Sequence, residues 1–252
     1  MLYDVTINGE PRKVVANFSR NGHFYTLDRN NGQFLRADPY QEKITWTKGI
    51  DAKTGKPIDY NPDTPVQLYA GVGGMREKPG QESCPWWNGA PTFFPPTLDK
   101  KRMIAYVAGA EGCIAGTTIK TPMDEAKNYV GLPVCCFEQG RVTAHGALWA
   151  MDLRTGKVIN KATSPLGDES GMLSTDGDLL FTGYSNGKFA AYDADTLKEL
   201  WSFNLGTPIT APPIAYAVNG KQYIAVLAGG ATGVRAAGLY QPSAFVAVFS
   251  LN

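Results

Sequence analysis

The amino-acid sequence predicts an all-β fold, and three observations support this prediction. The 252 residues include 28 glycines and 17 prolines, which is too many turn-forming residues for a helical bundle. Apolar runs of strand length are separated by short turn sequences such as Asn219-Gly220, a strong signal for a β-hairpin. A similar unit recurs along the chain, which is typical of repeat architectures. Helix is expected only as a turn or two within residues 122–130.

The recurring unit is an apolar strand that ends in Asp, a turn closed by Gly or a substitute, and a second apolar strand. Its copies are centred on Asp28, Asp152 and Asp193, with a weaker copy at Asp51. Asp accepts hydrogen bonds from nearby backbone amides and Gly allows positive φ, so each copy predicts a hairpin connection. Asp193 follows Asp152 by 41 residues, and Asp152 follows Asp28 by 124, almost three such intervals. A period near 41 residues predicts a β-propeller, with one blade per repeat.

The final units show the predicted strand pattern most clearly. Strands are expected there at 178–183, 188–192, 198–203, 213–216 and 222–227. His23 and His145 each stand at the start of an apolar run, so both are interpreted as strand-end residues rather than catalysts.

Two stretches interrupt the repeat. Residues 56–100 are rich in Pro and Gly, and residues 115–145 combine weak periodicity with a pair of cysteines. Insertions of this length in a propeller either project functional loops from one face or cover a hydrophobic edge. The sequence leaves both interpretations open.

Charge and composition exclude several classes of function. Lys and Arg number 24 against 23 Asp and Glu, so the chain lacks the basic surplus that nucleic-acid binding requires. No segment has the roughly 20 consecutive apolar residues of a membrane span, and the first residues do not have the pattern of a signal peptide. Two histidines are too few for a His-rich metal site. The acidic cluster of Asp168, Glu169, Asp176 and Asp178 is interpreted as turn composition rather than a metal site.

The unit Ala-x-Asp-x-x-Thr-Gly-Lys followed by Trp resembles the repeat of the pyrroloquinoline quinone (PQQ)-dependent alcohol dehydrogenases, the methanol and ethanol dehydrogenase family. Further segments resemble this family, in the family's order, at residues 14–29, 84–113, 170–175 and 220–226. In the family they belong to the C-terminal half of an eight-bladed propeller. The resemblance implies that residues 1–252 are the C-terminal portion of a single PQQ-binding propeller domain, with insertions near 56–100 and 115–145. It would be a partial propeller of about four to five blades.

The resemblance also implies an activity. The family oxidises an alcohol to an aldehyde or ketone with PQQ and Ca²⁺ or a lanthanide ion, and passes the electrons to a periplasmic cytochrome c. Its metal ligands and general-base aspartate lie upstream of the segment that resembles residues 1–30, so this chain is expected to hold no catalytic or metal-binding residue. Two alternatives remain. One is a non-catalytic PQQ-repeat propeller that serves as a binding scaffold; the other is a carboxylate-based glycosidase, for which no pair of acids stands out.

A partial propeller leaves its first and last blades without neighbours, so both are expected to expose apolar faces. The resemblance therefore implies a partner, either the missing N-terminal half of the propeller or a second copy of this chain. A lone monomer is the least expected state.

Four residues are carried over from the resemblance as cofactor-binding candidates. Arg20 matches a basic residue that points at the quinone oxygens, where a guanidinium would stabilise negative charge; the alternative is a salt bridge at the rim. Thr92 stands where the family usually has an Asn that hydrogen-bonds the cofactor, and Phe93 would supply an apolar wall. Gly171 follows a loop that brings backbone close to the cofactor, with an ordinary turn as the alternative.

The four cysteines, considered alone, allow three full pairings. Cys84 and Cys113 match a disulfide of the family, so the resemblance implies that these two are bonded. Cys135 and Cys136 are adjacent, and either bridge to each other or remain buried thiols. The even number and the resemblance both favour an oxidising compartment, which for this family is the periplasm.

Overall fold

The structure is a computed structural model. It describes residues 1–65, 67, 82–86, 89–91, 94–118, 137–164, 170–229 and 244–251. Within these ranges the regular secondary structure is entirely β-strand. No helix among them is long and apolar enough to cross a membrane. The helical turn expected within residues 122–130 lies outside the described residues.

Blade I is a four-stranded antiparallel sheet whose strands follow chain order. The strands are β1 (Leu2–Ile7), β2 (Glu10–Phe18), β3 (His23–Asp28) and β4 (Phe34–Pro39). Asn8 and Gly9 join β1 to β2 with φ of 53° and 84°, as a tight hairpin turn requires. The predicted turn at Asp28 joins β3 to β4, and the Asp28 carbonyl accepts the N–H of Gly32 at 2.8 Å.

Blade II is also four-stranded, but its chain path is interrupted. Its strands, from one edge to the other, are β6 (Thr97–Asp99), β7 (Ile104–Glu111), β10 (His145–Asp152) and β11 (Lys157–Ser164). Between β7 and β10 the chain forms β8 (Ile114–Thr118) and β9 (Phe137–Val142), which join β5 (Glu82–Ser83) in a separate three-stranded sheet, the side sheet. The stretch near 115–145 therefore lies between the second and third strands of one blade.

Blades III and IV complete the described fold. Blade III contains β12 (Leu173–Ser174), β13 (Leu179–Gly183), β14 (Lys188–Asp193) and β15 (Glu199–Asn204). Blade IV contains β16 (Ile214–Val218), β17 (Lys221–Gly229) and β18 (Ala244–Phe249). The five strands expected in this region are confirmed to within two residues at each end, and β3 and β10 begin at His23 and His145 as predicted.

The turns at Asp28 and Asp152 lie in adjacent blades. Arg36 on β4 donates hydrogen bonds to the carbonyls of Leu153 and Arg154, at 2.6 and 2.9 Å, within the Asp152 turn. The 124 residues from Asp28 to Asp152 therefore lead from one blade to the next, and the prediction of three repeats of 41 residues is wrong. The extra length comes from residues 40–96 and from the side sheet. The described residues hold four blades, within the predicted range.

An apolar core fills each space between neighbouring blades. Trp149 and Phe24, both fully buried, lie in the core between blades I and II. Tyr106 and Leu180 lie in the core between blades II and III, and Phe189 packs between blades III and IV. These cores fix the blades face to face, so the loops at their ends keep a constant arrangement.

Candidate functional site

Arg20 lies in the tight turn between β2 and β3, residues 19–22, which we call the Arg20 loop. Within it the N–H of Gly22 donates to the Ser19 carbonyl at 3.1 Å. The Asn21 carboxamide accepts the N–H of His23 at 3.1 Å and donates to the Tyr25 hydroxyl at 2.9 Å. Gly22 has a φ of 91°, which a residue with a side chain rarely adopts. Local sequence therefore builds the turn.

Every carbonyl of the Arg20 loop accepts a hydrogen bond from another part of the chain. The bonds are Tyr40 Oη to Ser19 at 2.6 Å, Ala90 N–H to Arg20 at 3.3 Å, Trp46 Nε1 to Asn21 at 2.8 Å and Tyr40 N–H to Gly22 at 3.0 Å. The Arg20 residue itself is exposed. The loop thus has a fixed backbone and presents a cation at the protein surface.

The chain on both sides of Thr92 and Phe93 contacts the other candidates. A Cβ built on Gly89 would lie 2.6 Å from the Cβ of Arg20, so only glycine fits there. On the other side, the N–H of Met172 donates to the Pro95 carbonyl at 3.0 Å. Thr92 and Phe93 themselves lie outside the described residues.

Gly171 is buried two residues before β12, and protein atoms surround it. A Cβ at this position would lie 2.6 Å from the Pro95 ring and 2.8 Å from Pro212. Its carbonyl accepts the Thr182 hydroxyl at 3.2 Å. Packing against two prolines is sufficient reason for glycine here, and a role toward a cofactor stays a prediction.

The structure contains the disulfide that the resemblance implied. Cys84 and Cys113 are bonded, with an S–S distance of 2.07 Å and a Cα–Cα distance of 4.4 Å. Both are buried, and the bond ties the segment before Gly89 to the end of β7. Cys135 and Cys136 lie outside the described residues.

Among the described residues, Glu82 and the two bonded cysteines are the one group of acid and cysteine side chains spaced closely enough for a metal. Metals bind thiolates, and the disulfide removes them. Asp176 and Asp178 are exposed and pair with Lys101 and Arg102, at 2.9 and 3.4 Å, as expected for turn residues. Asp168 and Glu169 lie outside the described ranges.

Sequence reasoning missed a cluster of groups that hold the loops in place. Glu111, 4% exposed, accepts the N–H of Glu42 at 2.7 Å and forms an ion pair with Lys161. His23 is also buried, and desolvation lowers its pKa.

Tyr40 and Trp46 were missed because they lie in a stretch without strand periodicity. Aromatic residues in such a stretch were the available signal that it packs against the protein.

Comparison with known proteins shows which proteins the chain resembles. Residues 160–224 match the model of the β-propeller domain of glucose, ethanol and alcohol dehydrogenases that use PQQ. The quinoprotein alcohol dehydrogenase PedE of Pseudomonas putida is 35% identical over 224 residues, which cover 88% of this chain and 34% of that protein. The dehydrogenase subunit of an alcohol dehydrogenase (quinone) from Acetobacter aceti is 33% identical over 276 residues, covering 100% of this chain and 35% of its own.

Over most of its length the chain is similar to the C-terminal part of quinoprotein alcohol dehydrogenases. The quinohemoprotein alcohol dehydrogenase from Comamonas testosteroni superposes with a TM-score of 0.74 at 25% identity, over 99% of this chain and 37% of that one. A europium-containing methanol dehydrogenase gives 0.69 at 26% identity, over 90% and 38%. The predicted propeller is confirmed, and the chain spans about a third of the length of the quinoprotein dehydrogenases it matches.

Proposed function

We propose that this chain is the C-terminal part of a periplasmic quinoprotein dehydrogenase. The complete enzyme would oxidise an alcohol to an aldehyde or ketone with PQQ and Ca²⁺ or a lanthanide ion, and transfer the electrons to a cytochrome c. Two findings support the proposal: relatives named as quinoprotein alcohol dehydrogenases align with most of the chain, and a europium-containing methanol dehydrogenase shares its fold.

The observation that carries the proposal is the Arg20 loop. PQQ is a planar ortho-quinone that also carries carboxylates, and a guanidinium on a fixed backbone is suited to such an anion. The four inward hydrogen bonds hold the backbone of the loop while Arg20 stays exposed. These residues fit the group. When bound, PQQ supplies the electron acceptor, and Arg20 would stabilise negative charge on its oxygens.

The remaining cofactor contacts are proposed on the resemblance. Thr92 would donate a hydrogen bond, Phe93 would pack on the ring system, and Gly171 would allow close approach of its backbone. The resemblance assigns the general base and the metal ligands to a part of the family that precedes the segment matched by this chain. We therefore expect the chain alone to bind the cofactor weakly and to lack dehydrogenase activity.

The partner of this chain would be the rest of the propeller. Exposed apolar side chains concentrate on one face of blade IV, where the paired residues Leu227 and Val246 are 47% and 63% exposed. A further blade packed there would bury them, as Trp149 is buried between blades I and II. Pairing with a second copy of this chain is the alternative outcome.

Titration of the purified chain with PQQ, monitored by isothermal titration calorimetry, tests the proposed site. Charge-assisted hydrogen bonds contribute about 1.5–3 kcal/mol, so Arg20→Ala is expected to weaken binding by roughly 10- to 100-fold. Arg20→Lys should lose part of the affinity, because a lysine cannot form paired bonds. Arg12→Ala removes a cation on β2 that pairs with Glu10 and, at 3.8 Å, with Asp28, and serves as the matched control. Equal binding by Arg20→Ala and Arg12→Ala contradicts the role of Arg20.

Dye reduction with short alcohols, with PQQ and Ca²⁺ or a lanthanide added, tests whether the chain alone lacks dehydrogenase activity. The chain alone should give no rate above the protein-free control. A rate above that control would show that the base and the metal ligands lie within this chain. Failure of the parent chain to bind PQQ would instead favour a non-catalytic scaffold.

A further inference from the structure

We infer that Tyr40 and Trp46 are positioning residues that fix the Arg20 loop. They belong to residues 40–46, which we call the strap, a segment that runs from the end of β4 across the Arg20 loop to Cys84. The inference deepens the proposed function, because it rests on Arg20 as a contact to PQQ. Neither aromatic residue is required to touch the cofactor.

Trp46 holds the loop through one polar atom. Its indole Nε1 donates to the Asn21 carbonyl at 2.8 Å, immediately after Arg20 in the chain. Its ring lies edge-on to the buried His23 ring, with centroids 6.0 Å apart. The ring contact and the hydrogen bond are separable, because phenylalanine keeps an aromatic ring and lacks the donor.

Tyr40 holds the loop at two points on either side of Arg20. Its hydroxyl donates to Ser19 and its N–H to Gly22. Tyr40 is 3% exposed, and its ring packs edge-on against those of Phe18 and Trp149 at 5.2 and 5.5 Å. Burial raises the pKa of the Tyr40 phenol, so the hydroxyl stays a donor throughout the neutral range.

The strap is itself anchored to blade II and to the disulfide. Its bonds are Gln41 Nε2 to the Ala110 carbonyl at 3.1 Å, Glu42 N–H to Glu111 at 2.7 Å, Thr45 N–H to the Cys84 carbonyl at 2.9 Å and Cys84 N–H to Thr45 Oγ1 at 2.8 Å. The Arg20 loop is therefore held by a segment that is fixed at several points, not by a second mobile loop.

This arrangement has a consequence for ligand binding. A surface turn that contains Gly22 has access to several backbone conformations unless its carbonyls are bonded. Ordering it during binding would reduce affinity, and a loop ordered in advance avoids that cost. Loss of the donors on Tyr40 and Trp46 should therefore weaken PQQ binding only by reducing the contribution that Arg20 makes.

Amide hydrogen exchange tests the positioning without any cofactor. Trp46→Phe and Tyr40→Phe remove only a donor, and Tyr60→Phe removes an exposed hydroxyl outside the strap as the matched control. One hydrogen bond contributes about 1 kcal/mol, so exchange of the Ser19 and Gly22 amides should rise about fivefold in the first two variants. The amide of Leu148 in β10 should not change. Unchanged exchange at Ser19 and Gly22 overturns the inference.

A double-mutant cycle on PQQ affinity provides the second test. Trp46→Phe should weaken PQQ binding about fivefold in the parent chain and have no effect when Arg20 is alanine, because the strap acts through Arg20. An equal loss in both backgrounds overturns the inference, since it would show a general structural effect. If the parent chain does not bind PQQ, the proposed function fails, and the exchange measurement still decides whether the strap fixes the loop.

Discussion

The joints between blades I, II and III differ from the outer face of blade IV. At each joint a side chain on the last strand of one blade donates to the turn of the next. Arg36 stands eight residues after Asp28 and donates to the Arg154 carbonyl at 2.9 Å. Asn160 stands eight residues after Asp152 and donates to the Asp195 carbonyl at 2.8 Å. The same position in the repeat thus serves as the inter-blade donor twice.

Blade III carries Trp201 at this position, eight residues after Asp193, and this residue is 40% exposed. Its ring packs at 5.3 Å against Phe249 of blade IV. The open apolar face lies on the other side of blade IV, where the strand register groups the exposed side chains of Ile214, Val218, Leu227, Val246 and Val248. On blade I, among the described residues, Leu2 is the large apolar side chain that is exposed. The expectation of apolar faces on both the first and the last blade is therefore met on blade IV but not on blade I. The comparison indicates that the apolar face of blade IV is the uncovered side of the described fold.

The largest effect should separate a tryptophan that is fully buried in a joint from one that is partly exposed at the edge of a joint. Trp149 is fully buried between blades I and II, so Trp149→Ala should lower the free energy of unfolding by about 3–5 kcal/mol. Trp201→Ala should cost less, about 1–2 kcal/mol, because this residue is 40% exposed although its ring packs on Phe249. Urea unfolding of both variants measures the difference. Equal losses would mean that Trp201 is covered as completely in solution as Trp149.

The disulfide should contribute slightly less than the core. Cys84 and Cys113 are 29 residues apart, and closing a loop of that length stabilises by about 3.5 kcal/mol in the chain-entropy description. The double serine variant should unfold at a correspondingly lower urea concentration. Mass spectrometry of a non-reduced digest checks the pairing first, and the recovery of both residues as free thiols would contradict it.

A pH-dependent contribution should arise at the first joint. Burial raises the pKa of Asp38 to about 6, although Arg36 at 2.9 Å opposes the shift. Because the pKa of Asp38 is higher in the folded than in the unfolded state, protonated Asp38 stabilises the fold. This stabilisation is complete below about pH 4 and is lost as the pH rises from about 4 to 6. Asp38→Asn should remove that loss, which is at most about 3 kcal/mol. Chemical unfolding at pH 4 and pH 7 tests it, and the same pH dependence in both proteins would contradict the assignment to Asp38.

The two inter-blade donors should differ in strength. Arg36→Ala removes two hydrogen bonds and the partner of Asp38, and should cost about 2 kcal/mol. Asn160→Ala removes one neutral hydrogen bond, and should cost about 1 kcal/mol. Thermal unfolding of the two variants, with Lys53→Ala in the exposed Asp51 turn as control, ranks them. A larger loss of stability in Asn160→Ala than in Arg36→Ala would contradict this ranking of the two donors.

Local features of the fold were predictable from the sequence, and distant contacts were not. The Asp-Gly turns and the Asn219-Gly220 hairpin depend on adjacent residues, so the strands around them were placed within two residues. The interval from Asp28 to Asp152 gave no such guide, because inserted segments change chain length without adding a blade. The fixation of the Arg20 loop depends on Trp46, 25 residues away, and on Ala90. Such contacts form only when the blades are assembled.

Sedimentation velocity of the purified chain over a range of concentrations tests the central claim most directly. That claim is that the chain is part of a larger propeller whose last blade, blade IV, needs a neighbour. Burial of even about 400 Å² of apolar surface favours association by roughly 10 kcal/mol before ordering costs are subtracted. The chain should therefore self-associate or aggregate as its concentration rises. A single species of 27.2 kDa at every concentration, with a sharp melting transition, would contradict the account.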